Sequence, residues 1–169
     1  VKILPTGGAH LSGFDLQNFM PYLINRAGVR ISDHFAVELR RFGLSIAMWR
    51  VLASIWHDGA MRLSELADST SIEVSTLSRQ ITGMQRRRLV TRTRAVDDAR
   101  AVAVDLTPEG RALTAQIIPL AVAYETMALQ GFSTEDGATL RRLLTRLYIN
   151  LTENEPPHCA KPELQARRG

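Results

Sequence analysis

At 169 residues, 45% of them apolar, the chain is long enough for one domain with a buried core or for a small domain framed by long helices. Its formal net charge of +4 suits a polyanionic partner, and its single cysteine, Cys159, excludes an intrachain disulfide and fits a reducing cytoplasm. No apolar run reaches the roughly 18 residues of a membrane span, and the opening VKILPTGGAHLSG has no apolar segment of signal-peptide length.

In chain order, residues 1–13 hold Pro5, Gly7, Gly8 and Gly13 and read as a flexible arm. A long helix is expected from Phe14 to about Phe42, with Tyr22, Leu23, Ala27, Val29, Phe35 and Leu39 among its apolar positions. Pro21 marks a start or kink, and Gly43 a stop. Ser45 is placed to cap a second helix, in which Ile46, Trp49, Leu52, Ala53 and Trp56 recur at helical spacing. Asp58-Gly59 is a turn. A brief strand, Met61–Leu63, leads into a short helix with Leu66 and Ala67 inward. A fourth helix begins near Glu73, with Val74, Leu77, Ile81 and Met84 on its apolar face. After it comes a hairpin in which Val102, Val104 and Leu106 alternate with Ala103 and Asp105, the pattern of a half-buried strand. Thr107 and Pro108 take the N-cap and first positions of a fifth helix, which runs to about Leu129 and stops at Gly131. Ser133 caps a sixth helix with Asp136 at its third position; Leu140, Leu144, Leu147 and Leu151 form its stripe, off which lie Arg141, Arg142 and Arg146. From Asn154 the prolines 156, 157 and 162 predict a loose tail.

The charge is unevenly placed. Nineteen of the 21 basic residues are arginine, the residue whose planar fork matches phosphate and guanine. Arginine dominance by itself reflects genome composition as readily as function, so position carries the argument. Residues 79–100 hold seven arginines against two aspartates, a larger excess than that of the whole chain. This is a localised basic patch, the footprint expected of nucleic-acid binding.

The patch sits on a helix-turn-helix followed by a two-stranded wing. In such a module the second helix enters the major groove with its N-terminal residues on the bases. Ser75, Thr76, Ser78 and Arg79 are therefore the candidate base readers, although Ser and Thr near a helix start also cap their own backbone. Arg100 is the candidate phosphate or minor-groove contact of the wing, and Arg92 and Arg94 add charge toward the phosphates. Asp98, two residues before Arg100, is placed to hold its guanidinium; alone, an Asp-x-Arg pair would be an ordinary surface salt bridge.

The sequence resembles the MarR-type winged helix-turn-helix regulators over roughly residues 14–153. The resemblance rests on Trp49-Arg50-Val51-Leu52, Leu63-Ser64-Glu65-Leu66-Ala67, Leu77-Ser78-Arg79, Leu89-Val90-Thr91-Arg92, and Asp98-Ala99-Arg100 followed by Val102, Val104 and Leu106-Thr107-Pro108-Glu109-Gly110. Each piece is weak; their order and spacing are specific. The resemblance implies a mainly α fold with a DNA-binding lobe over 44–107 and dimerisation helices over 14–43 and 108–153. It implies a cytoplasmic homodimeric regulator, expected to be a repressor, on a palindromic double-stranded DNA operator. Relief by a small molecule, with small aromatic acids the first guess, is part of the same expectation. The alternative is an architectural or protein-docking winged helix without effector control.

Two departures stand out. Arg88 occupies the position where the family commonly has glycine after the recognition helix, which suggests that the wing leaves by a different turn. Arg62 occupies the position of the usual Ser or Thr cap.

Tyr22, His34, Arg41 and Trp49 are the candidate effector-binding residues, Trp49 being by default a packing residue. The histidines at 10, 34, 57 and 158 have no ligand spacing, so neither metal nor other cofactor is expected. Cys159 lies in the tail, away from the first helix where the peroxide-sensing branch of the family carries its cysteine. With no phosphate loop or nucleophile motif, an enzyme is not expected.

Overall fold

The computed structural model describes residues 14–94 and 102–154. The element order is α1 (Met20–Arg41), α2 (Ile46–Asp58), β1 (Met61–Arg62), α3 (Leu63–Thr70), α4 (Val74–Arg86), β2 (Val90–Arg94), β3 (Val102–Leu106), α5 (Pro108–Ala128) and α6 (Thr134–Glu153). This is the expected mainly helical winged-helix order. The expected arm over 1–13 and most of the expected tail lie outside the described residues.

The chain forms two compact units that part between Ala128 and Leu129. The first contains the core. Leu39, Val51, Leu52, Ile55, Leu66, Leu77, Ile81, Met84, Val104 and Ile117 are fully buried and bring α1 to α5 and the sheet onto one apolar cluster. The sheet is antiparallel with strand order β1-β3-β2. In the second unit α6 begins with a reciprocal cap: Ser133 Oγ accepts from the Asp136 N–H, and the Asp136 carboxylate accepts from the Ser133 N–H.

Several expectations are corrected. α1 starts at Met20, six residues late, because Asp15 closes a turn of its own: its carboxylate accepts from the Gln17 N–H at 3.0 Å. Pro21 then lies in the first helical turn, where its missing N–H leaves no bond unmade. Of the apolar positions named in α1, Phe35 and Leu39 are buried, and Leu23 and Val29 are exposed. Trp56 and Val74 are exposed at the ends of their helices, and the inward face of α2 is instead Val51, Leu52 and Ile55. In β3 the alternation fails: Ala103 is buried and Val102 exposed. β3 is the central strand, paired on both sides, and Val102 lies at its outer end, opposite Arg94.

The exit from α4 is not a different turn. Arg88 itself adopts the left-handed conformation, with φ +57°. The Leu89 N–H closes back on the Met84 carbonyl at 3.0 Å, so the turn a glycine would make is made by arginine.

Thr107 fastens this exit to α5. Its hydroxyl donates to the Arg88 carbonyl and accepts from the Gly110 N–H at 3.0 Å, while its own N–H donates to the Leu89 carbonyl at 3.1 Å. Gly110 lies so close that a Cβ there would sit 1.9 Å from the Leu89 oxygen. Only glycine fits, which gives the Thr-Pro-Glu-Gly segment its physical reason.

Candidate nucleic-acid interface

α3 and α4 are joined by a tight turn in which Ser71 adopts the left-handed conformation at φ +53°. α3 starts at Arg62 without a Ser or Thr cap; the Glu65 carboxylate instead accepts from the Arg62 N–H at 2.8 Å. Leu66 and Ala67 of α3 and Leu77, Ile81 and Met84 of α4 are buried in the common core. That leaves the opposite side of α4 facing solvent. Ser75, Arg79, Thr82 and Arg86 all fall on it, spaced by four, three and four residues, and all are exposed. Thr82 and Arg86 were not singled out from sequence; continuing the helical spacing from Arg79 would have found them. Thr76 and Ser78 are half-buried beside this face.

The start of α4 is held by an acid. One oxygen of Glu73 accepts from the Ser75 N–H at 2.9 Å; the other accepts from the Thr76 N–H at 3.0 Å and from the Ser75 hydroxyl. These bonds, the Ser75 hydroxyl foremost and then the two backbone N–H groups, lower the Glu73 pKa from 4.5 to about 2. Sequence reading placed Glu73 only as the start of the helix. Arg79 donates to Thr76 Oγ1 at 3.3 Å, which draws its guanidinium toward the same end.

The wing follows in register, Val90 opposite Leu106 through Arg94 opposite Val102. Arg92 is exposed. Asp98 and Arg100 lie outside the described residues, as does the side chain of Arg94. Among the described residues, no acid forms a salt bridge with Arg79, Arg86, Arg88 or Arg92. Arg87 is engaged elsewhere: it donates to the Gly43 carbonyl at 2.6 Å and the Phe42 carbonyl at 3.0 Å.

The four candidate effector residues do not converge within one chain. Tyr22 lies under the Arg26 guanidinium, 5.3 Å from its ring centre, and lines a shallow groove of α1 with Asn25, Val29 and Arg30. Arg41 is at the other end of α1, about 28 Å away at 1.5 Å per residue, paired with Glu38 at 2.7 Å. His34 is exposed. Trp49 packs edge-on against Phe35 at 5.6 Å, and Phe35 meets Tyr124 at 5.4 Å.

A buried helix-turn-helix, a polar and cationic outer helix face and a basic strand beside it define a winged-helix DNA-binding protein. The MarR family model matches residues 44–102. The MarR family transcriptional regulator SPO1453 from Silicibacter pomeroyi is 33% identical, with 82% of this chain and 99% of that one covered and a TM-score of 0.71. The chain belongs to the MarR family of transcriptional regulators, which are not enzymes. It is also similar to BpsR of Bordetella bronchiseptica, whose DNA binding is regulated by 6-hydroxynicotinic acid (26% identity, 84% and 98% coverage, TM-score 0.70). The organic hydroperoxide resistance transcriptional regulator of Bacillus subtilis is 21% identical over 80% of this chain and 89% of that protein. No helix among the described residues is long and apolar enough to cross a membrane.

Proposed function

We propose that the protein is a cytoplasmic homodimeric repressor that binds a palindromic operator and is released by a small aromatic acid. Ser75, Thr76, Ser78 and Arg79 read bases in the major groove; Arg92 and Arg94 hold the phosphates and Arg100 the phosphates or minor groove, with Asp98 orienting Arg100. The observation that carries the reading is the outer face of α4, where an exposed arginine and hydroxyls stand over a fully buried apolar face. Dimerisation is supported by apolar side chains left in water: Met20, Leu23, Val29, Ile31 and Val37 of α1, and Leu140, Leu143, Leu144, Tyr148 and Leu151 of α6. Surfaces of this kind mark interfaces, and a twofold partner is the common solution. Relief by an aromatic acid is supported by the likeness to BpsR.

Selection from a random duplex library tests the whole reading. It should enrich an inverted repeat whose half-sites are about 34–36 Å apart, bound by a species of dimer mass in sedimentation. Arg79→Ala should lose about 1–3 kcal/mol at that site and flatten discrimination between bases. Titration with 6-hydroxynicotinic acid and related aromatic acids should weaken the complex. A monomer on a single half-site, or a complex indifferent to every such acid, would overturn the corresponding part.

A further inference from the structure

Arg88 is held where an arginine is strained. Its φ of +57° lies in the left-handed region, which glycine enters freely and a long side chain only at a cost. The turn is fixed from both sides: the Leu89 N–H closes on the Met84 carbonyl, and the Thr107 hydroxyl donates to the Arg88 carbonyl. Within the fold, nothing offsets the strain through the side chain. Arg88 is exposed, and among the described residues its guanidinium makes no hydrogen bond and no ion pair. The helix dipole favours a cation at this end, but by less than the left-handed backbone costs. A strained residue whose side chain the fold does not use points to a use outside the fold.

Its surroundings fit an anion. Arg86, two residues earlier, ends the exposed face of α4 that carries Ser75, Arg79 and Thr82, and Arg92, four residues later, is exposed on β2. Neither forms a salt bridge with an acid among the described residues. Arg87 between them is spent on the carbonyls of Gly43 and Phe42, which pins the end of α4 in place. Arg88 thus stands where the outer helix face passes into the wing, with an unpaired arginine on either side along the chain. Arg79 and Arg86 are about 10 Å apart along the helix, and the major groove is about 12 Å wide. With Arg79 on base edges, the exit of α4 reaches the wall of the groove, and that wall is phosphate. A guanidinium suits a phosphate because its planar fork donates two parallel N–H bonds.

We propose that Arg88 is a phosphate-binding residue of the DNA interface: its exposed guanidinium, at the left-handed exit of α4, closes on the sugar-phosphate strand that walls the major groove. The contact positions the helix and carries no base preference. The inference rests on α4 being the reading helix.

The test is duplex binding by the full chain across a salt series, on the selected operator and on a scrambled duplex. Arg88→Gly keeps the turn and removes the charge. A dimer then loses two phosphate contacts, so the slope of log K against log salt should flatten by about 1.8 on both duplexes. Between about 50 and 200 mM salt the wild type should therefore lose about 10-fold more affinity than the variant. A flattening near 0.9 would keep the contact and count one copy on the DNA. Arg88→Lys retains the charge and should retain the slope, and Arg87→Ala, one residue away, separates contact from bulk charge by leaving the slope unchanged. Should Arg88→Gly lose its thermal transition, Arg88→Asn, which also tolerates the left-handed region, gives the same reading. An unchanged slope in the folded variant, a flattening matched by Arg87→Ala, or a loss confined to the operator overturns the proposal. An unchanged slope while Arg79→Ala still flattens base discrimination overturns the Arg88 contact alone; base discrimination untouched by Arg79→Ala overturns the reading helix with it.

Discussion

Arg87, at the end of the recognition helix, donates to the backbone carbonyl of Gly43, 44 residues away, at 2.6 Å. Its second nitrogen reaches Phe42 at 3.0 Å. These carbonyls belong to the exit of α1, where a cation is favoured by the helix dipole. The end of α4 is thereby tied to the end of α1. Arg87→Ala should destabilise the fold by about 1–2 kcal/mol in urea melts. Because this guanidinium is committed to backbone, the slope of log K against log salt should stay unchanged, whereas a steep loss of slope would place Arg87 on phosphate.

Arg92 is the opposite case, an exposed arginine with no described acid partner. Arg92→Ala should weaken binding to all duplexes alike. A dimer loses two phosphate contacts, so the salt slope should flatten by about 1.8. An unchanged slope would take this strand away from the DNA.

Gly110→Ala should be among the most damaging single-methyl changes in the chain. The added carbon would sit 1.9 Å from the Leu89 carbonyl oxygen, at the junction where Thr107 joins β3 to α5. A loss of about 3 kcal/mol is expected from denaturant midpoints. Near-wild-type stability would mean that α5 can shift off the wing at little cost.

Arg88→Gly should stabilise. A left-handed non-glycine residue costs about 1–2 kcal/mol, partly offset by the greater freedom of glycine in the unfolded chain. A net gain of about 0.5–1 kcal/mol should appear in urea midpoints. A destabilised Arg88→Gly would assign the Arg88 side chain a stabilising contact outweighing its backbone strain.

Acid should act through Glu73 and Asp136. Both carboxyls are held below their ordinary pKa by bonds at a helix start: Glu73 at about 2, and Asp136 lowered by the Ser133 hydroxyl and N–H. The folded state binds these protons less readily than the unfolded chain. Their stabilisation is therefore complete above the unfolded values near 4, and for Glu73 it is lost as pH falls from about 4.5 to about 2. Melts at stepped pH should show Glu73→Gln less stable than wild type at neutral pH, with the two converging near pH 2. Parallel curves across that range would separate the cap from its charge.

The helices were legible where caps and periodicity agreed. Ser45, Thr107 and Ser133 cap as their positions suggest, and Leu77, Ile81 and Met84 face inward. Periodicity misled at element ends, at Trp56, Val74 and Val102, because an apolar residue in phase with the core is buried only if another element reaches that far. The turn at Arg88 was legible as an anomaly but not as an outcome: the sequence shows the missing glycine, while the bonds from Thr107 to Arg88 and Leu89, which hold the local turn closed by Leu89 and Met84, are tertiary. The partner of Ser75 was hidden for a related reason. A serine near a helix start reads as donor, acceptor or cap until its partner is known, and here the partner is the glutamate two residues earlier.

Strand order also bears on how the protein behaves away from DNA. Among the described residues β2 is an outer strand, so one edge of Val90–Arg94 has no neighbouring strand there. Such an edge is a template for adding another chain, and arginine along it is a common protection. The opposite edge, β1, is protected by brevity, with only Met61 and Arg62 in it. Arg92, exposed on this strand, is therefore expected to guard against edge-to-edge aggregation whatever its part on DNA, and a wing stripped of charge should open a route to fibre-like self-association unrelated to any twofold dimer.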